Sequence, residues 1–226
     1  MFPETRIVSV RDKVGRFSFF LLSILLLFAL QPFLEPFVRV SILSEAFFSL
    51  VMLSGIRAIS YRKRDFVLSL STGIPALLLG WAAEILRLPV ARVAASSFGA
   101  LFIALALILI LSHVNKQREV TRDVVMGAVC SYFLIGIVWV HLYFLLESGS
   151  PGAFSLPRGL SRDPVHFIYY SFITLTTVGY GDILPVSNPA RSLAVLEAMV
   201  GQMYLAVAMA RLVAIHISQT QGVSEK

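Results

Sequence analysis

Five consecutive residues, Thr177, Val178, Gly179, Tyr180 and Gly181, followed by Asp182, carry the clearest chemistry in the chain. A TVGYG run presents backbone carbonyl oxygens, together with a threonine hydroxyl, to a potassium ion that has shed its water. Gly179 and Gly181 permit the φ > 0 that such a column of carbonyls requires, because no Cβ clashes there. Val178 and Tyr180 then point away from the ion axis and are free to pack on a scaffold. As an isolated glycine-rich turn the run would say little. Its position, after a short apolar segment and before a long one, gives it meaning.

The elements around the run belong to a membrane. The chain has 226 residues, 57% hydrophobic and 14% charged, with a mean hydropathy of +0.81. That balance excludes an ordinary soluble domain and fits a polytopic membrane protein. Six runs are long and apolar enough to cross a bilayer, at residues 14–33, 40–60, 66–86, 93–113, 124–146 and 191–217. The first follows a basic tail and reads as an uncleaved helix rather than a signal peptide.

The basic residues set the expected orientation. Arg6, Arg11, Lys13 and Arg16 precede the first run; Arg62, Lys63 and Arg64 follow the second; Lys116, Arg118 and Arg122 follow the fourth. The opposite connections carry the sparser Arg39, Arg87, Arg92, Arg158 and Arg162. Both termini are therefore expected in the cytoplasm and the TVGYG run on the outer side of a cell membrane. The same retention explains the net charge of +6, with no need for nucleic acid. Cys130, the single cysteine, lies within the fifth run as a small apolar residue.

Organisation follows from the polar stretch at 115–123. The reading is a cytoplasmic tail at 1–16, a four-helix transmembrane domain at 17–114, a cytoplasmic linker at 115–123, a pore domain at 124–217 and a cytoplasmic tail at 218–226. Within the pore domain, Asp163 and Pro164 suit the N-cap and first position of a new helix over 165–176. About three turns cannot span a bilayer, so this helix should dip in and return through 177–182. Its C-terminal dipole would favour a cation. The fold class expected is an all-α membrane protein: six transmembrane helices, a re-entrant pore helix and a filter loop. One loop per chain implies four chains around one axis, a homotetramer.

Residues 167–211 resemble the pore of the tetrameric potassium channel family: pore helix, TVGYGD filter and inner helix. The six-span layout is similar to the voltage-gated branch in number and length only. The resemblance implies that Thr177, Val178, Gly179, Tyr180 and Gly181 coordinate potassium, the permeant ligand, and that Thr176 and Asp182 support the filter. Tyr169 and Tyr170 stand where many members have a tryptophan pair, and Ile173 stands where some have a glutamate that pairs with the filter acid. Glu197, inside the last run, either braces the pore helix in place of that glutamate or lies close enough to the surface to be hydrated. Gly201 is similar to the gating hinge of the family, and would equally serve close helix packing. Gln202 and Tyr204 are candidates to face the cavity. Arg211 reads as a side chain snorkelling to the interface.

The fourth run has no Arg or Lys between Arg92 and Lys116. A voltage sensor needs several within the field. Little or no intrinsic voltage dependence is therefore expected. Arg57 stands alone near its span end; Glu45, Glu84, Arg87 and Arg92 suggest local ion pairs. His113, His141, His166 and His216 lack metal-ligand spacing and read as interfacial histidines. No nucleophile–base pair, phosphate loop or paired carboxylate site is present, so neither an enzyme nor a cofactor is expected. The expected partners are potassium ions, the lipid bilayer and three further copies; a regulatory partner and the gating stimulus are not legible. Two alternatives remain: a permeation subunit of a potassium transporter, or a regulatory membrane subunit with a vestigial pore.

Overall fold

The structure is a computed structural model that describes residues 16–34, 40–117, 119–156 and 164–224. Arg6, Arg11, Lys13, Arg39, Arg118, Arg158, Arg162 and the expected cap Asp163 lie outside the described residues. Among the described residues seven helices follow in order: α1 Arg16–Leu34, α2 Val40–Ile59, α3 Lys63–Leu86, α4 Pro89–Lys116, α5 Arg122–Gly149, α6 Pro164–Leu175 and α7 Asn188–Ser224. Helices α2 to α5 and α7 are long and apolar enough to cross a membrane; α1 contains the shorter apolar stretch Phe17–Leu30. All but α6 match apolar runs read from the sequence, with α7 continuing helically through 218–224.

Local chemistry explains the helix ends. Arg87 closes α3 in the left-handed region (φ 53°), and Pro89 opens α4 at its first turn. The result is a turn of two residues between antiparallel helices. Thr121 caps α5, its Oγ1 accepting from Val124 N at 3.3 Å. Ser187 does the same for α7, accepting from Ala190 N at 3.3 Å.

Helices α1 to α4 pack on one another and, through α4 and α1, on α5; α6 lies between α5 and α7. One apolar cluster joins Phe17, Phe20, Val51, Phe102, Ile110 and Leu134 from α1, α2, α4 and α5. A second joins Tyr143, Phe154, Phe167, Tyr170 and Ile183 near the TVGYG end. In lipid such clusters gain from close packing and dispersion rather than from removal of water. Polar side chains add ties between helices. Ser23 and Ser54 hydroxyls meet at 2.7 Å, Trp81 Nε1 donates to Ser49 Oγ at 3.0 Å, and Ser96 Oγ lies 2.9 Å from His141 Nδ1. His141 is buried between α4 and α5, not interfacial as expected. Its ring fills the space over Gly99, where a Cβ would come within 2.9 Å of it.

Strands β1 (Phe154–Ser155) and β2 (Leu184–Pro185) pair antiparallel, Phe154 opposite Pro185. Ala153 O also accepts from Val186 N at 2.8 Å and Ser187 N at 3.1 Å. The segment after α5 is thereby fastened to the segment that leaves the TVGYG loop.

Candidate functional site

The loop is suspended from the C-terminal turn of α6. Thr177 N donates to Thr174 O at 2.9 Å, and both Val178 N (2.9 Å) and Gly179 N (3.1 Å) donate to Ile173 O. These bonds use carbonyls that a helix end leaves without intrahelical partners. Thr176 Oγ1 donates back to Phe172 O at 2.6 Å. Gly179 and Gly181 have φ of 52° and 81°, and Thr177 has φ of 61°. The glycines follow the expectation from composition. Thr177 does not, because a β-branched residue is disfavoured in that region. A Cβ at Gly179 or Gly181 would meet nothing within 4 Å, so backbone conformation rather than space selects glycine there.

Val178 and Tyr180 are 53% and 74% exposed, so they do not pack on a scaffold within their own chain. Asp182 Oδ1 accepts from Ile183 N at 3.1 Å, and the Tyr169 phenol on α6 lies near enough to feel its carboxylate. Tyr169 and Tyr170 diverge. Tyr169 is on the exposed side beside Asp182, whereas Tyr170 is buried against Tyr143 and Phe154 with ring centroids 5.0 and 5.3 Å away.

Two glycine notches let α6 approach its neighbours. On α5, a Cβ at Gly136 would lie 2.6 Å from Phe172 Cζ. On α7, a Cβ at Gly201 would overlap the Leu175 carbonyl at the last turn of α6. Helix α7 runs without interruption past Gly201. Gly201 thus sits where close packing requires it.

Four residues below that contact on the sequence scale, Glu197 is fully buried. Tyr143 from α5 donates its hydroxyl to Glu197 Oε2 at 2.5 Å, and Ser171 Oγ on α6 lies 2.5 Å from Glu197 Oε1. Ser171 Oγ is also 2.9 Å from Gly136 O on α5. One carboxyl group therefore touches both helices that flank it. Tyr143 and Ser171 were not singled out from the sequence. Ser171 carries a faint signal, as a small polar residue within an apolar helix; Tyr143 carries none.

Other polar side chains tie the site to the rest of the chain. Glu147, buried at the end of α5, accepts from Gly152 N at 2.9 Å and Phe154 N at 3.1 Å. Tyr204 donates to Ala128 O on α5 at 2.6 Å, so it turns to the helix packing and not to a cavity. Gln202 is exposed. Arg211 does not reach away from the protein. It donates to Asn115 Oδ1, to Asn115 O at 2.6 Å and to Val114 O at 3.2 Å, at the end of α4. Among the described residues no group of three or more His, Cys, Asp or Glu could hold a metal ion.

Residues 127–217, from the first turns of α5 into the last part of α7, match a family model described as ion channel. The match covers less than half of the chain. It supports an ion-channel family for this part, and with the long apolar helices it supports a membrane protein. No curated protein and no solved structure matches the chain.

Proposed function

We propose that the chain is the subunit of a potassium-selective channel, four copies of which bring their TVGYG loops together around one conduction axis. The observation that carries the reading is the loop's suspension: two successive amides, of Val178 and Gly179, held on the single carbonyl of Ile173 at the end of α6. Their own carbonyls are left for an ion, and the C-terminal dipole of a short helix lies directly behind them. Thr177, Val178, Gly179, Tyr180 and Gly181 are the coordinating residues in this reading. Thr176, Tyr169, Tyr170, Asp182 and Glu197 are its supports.

Four copies are favoured by what one copy leaves uncovered. Val178 and Tyr180 are exposed, as are Val195, Met199, Met203 and Val207 along α7. In a tetramer the outward side chains of each loop pack on a neighbour, and α7 lines the shared axis. Six crossings, with α1 as the first, place both termini in the cytoplasm and the loop on the outer face. Conduction is passive, and α4 contributes no charge ladder to make it voltage-dependent. Gly201 acts in packing, with bending there as a further role for gating.

The test is flux from purified protein in sealed vesicles, driven by a potassium gradient alone. Potassium uptake that exceeds sodium uptake and is blocked by barium is expected. Equal uptake of the two ions, or none from an assembled oligomer, would remove the reading.

A further inference from the structure

Three oxygen-to-oxygen contacts around Glu197 raise a question of proton number. Tyr143 Oη meets Glu197 Oε2 at 2.5 Å, Glu197 Oε1 meets Ser171 Oγ at 2.5 Å, and Ser171 Oγ meets Gly136 O at 2.9 Å. A carbonyl has no hydrogen to give, so Ser171 must donate to Gly136 O. That uses its one hydrogen. The Tyr143 hydrogen serves Oε2. The middle contact then needs a third hydrogen, and the only group that can carry it is the Glu197 carboxyl.

An ionised Glu197 would fit two of the contacts equally well, accepting from Tyr143 and from Ser171. It would leave Gly136 O facing a hydroxyl oxygen with no hydrogen between them. It would also bury a charge at zero exposure within an apolar helix packing, which is costly without a counter-ion. Tyr143 and Tyr132 on α5 and Tyr170 on α6 are the titratable groups that feel its field. None of them carries a positive charge, and no ion pair to Glu197 occurs among the described residues.

We propose that Glu197 is a neutral carboxylic acid, the middle of a relay from Tyr143 hydroxyl to Glu197 carboxyl to Ser171 hydroxyl to Gly136 carbonyl. The relay runs from α5 to α7, across to α6 and back to α5, and so ties the helix that carries the loop to both of its neighbours. Glu197 touches no ion. It is a positioning residue, acting through Ser171 on α6, and that role rests on the potassium-filter reading above, whereas its protonation does not.

Two measurements separate the parts. Infrared spectra of the reconstituted protein at neutral pH should show a protonated-carboxyl C=O band that Glu197→Gln removes. Absence of any such difference would show an ionised group and overturn the proposal, whether or not the protein conducts. In vesicle flux, Glu197→Ala should lower the potassium-over-sodium ratio by about tenfold, the cost of one broken buried hydrogen bond. Glu197→Gln, which keeps one donor and one acceptor in place, should recover most of that loss. Should Glu197→Ala fail to assemble, Ser171→Ala and Tyr143→Phe each remove one link and should lower the ratio in the same direction. Unchanged selectivity in all the assembled variants would overturn the positioning role. A wild-type protein that passes no potassium would sink the filter reading instead, leaving the infrared band to decide the protonation.

Discussion

Arg211, near the far end of α7, donates to the backbone carbonyl of Asn115 at 2.6 Å, some 96 residues earlier in the chain. The carbonyl belongs to the last turn of α4, where helix geometry leaves acceptors open and the dipole favours a positive charge. Further bonds go to Val114 O and to the Asn115 side chain. Leu212 packs on the same core cluster that contains Val114. That part of α7 is therefore tied to the end of α4 and not only to α5.

Arg211→Ala should loosen that attachment. The contact is only part-buried, so a loss of about 1 kcal/mol is expected rather than the larger cost of a buried charge. Hydrogen exchange should speed up in the last turn of α4, including Gln117 N, which is bonded to Val114 O. The amides around Ser171 should be unaffected. Uniform acceleration in both places would show that Arg211 matters to the whole fold and not to this joint.

Glu147 offers a sharper stability test. Its two oxygens accept from Gly152 N and Phe154 N, and the side chain is 2% exposed. Glu147→Ala leaves two amides without these acceptors in a segment that pairs with the exit of the TVGYG loop. The expected loss is about 1–3 kcal/mol, most of it from the buried Phe154 amide, because Gly152 is exposed and its amide can turn to water. Glu147→Gln retains an acceptor for one of them and should cost about half as much. Thermal unfolding in detergent would measure both; equal stability of all three proteins would contradict the assignment.

What could be read from residues alone was whatever depends on neighbours in sequence. Apolar run lengths located the long helices, and Pro164 marked the start of α6. Gly179 and Gly181 announced positive φ, which the backbone has. The positive φ of Thr177 was hidden, since its side chain argues against that region and only the hydrogen bonds at the end of α6 impose it. The partners of Glu197 were hidden for a different reason. Ser171 is 26 residues away and Tyr143 is 54, and no periodicity links positions on three separate helices. From sequence alone, a place near a span end makes Arg211 a snorkelling side chain. Its true surroundings depend on where α4 stops.

Gly201 and Gly136 make a matched pair for mutation. Gly201→Ala drives a methyl group into the Leu175 carbonyl, which is backbone and cannot turn aside. Gly136→Ala meets the edge of the Phe172 ring, a side chain that must shift against Phe28 and Phe133 but is not fixed backbone. The first should cost more, about 2–3 kcal/mol against about 1–2 kcal/mol for the second. Oligomer yield after solubilisation and thermal stability would rank them. A reversed order would mean that α7 adjusts its distance from α6 more readily than the ring adjusts its angle.

Helix α4 has no charged side chain through its middle. It runs from Pro89 to Lys116, and its charged residues are Arg92 in the first turn and Lys116 at the end. Arg92 is not free to cross a field, because its guanidinium pairs with Glu84 of α3 at 3.4 Å. Between the two lie 23 residues without a charge. Steep voltage gating draws on several charges in each subunit, each worth about 2.3 kcal/mol per 100 mV. With none available in the middle of α4, the conductance of reconstituted channels should change little with voltage, and Arg92→Gln should leave that shallow dependence as it was. A conductance–voltage curve with several gating charges per subunit would mean that charge moves elsewhere in the chain, with Arg57 on α2 as the first residue to substitute.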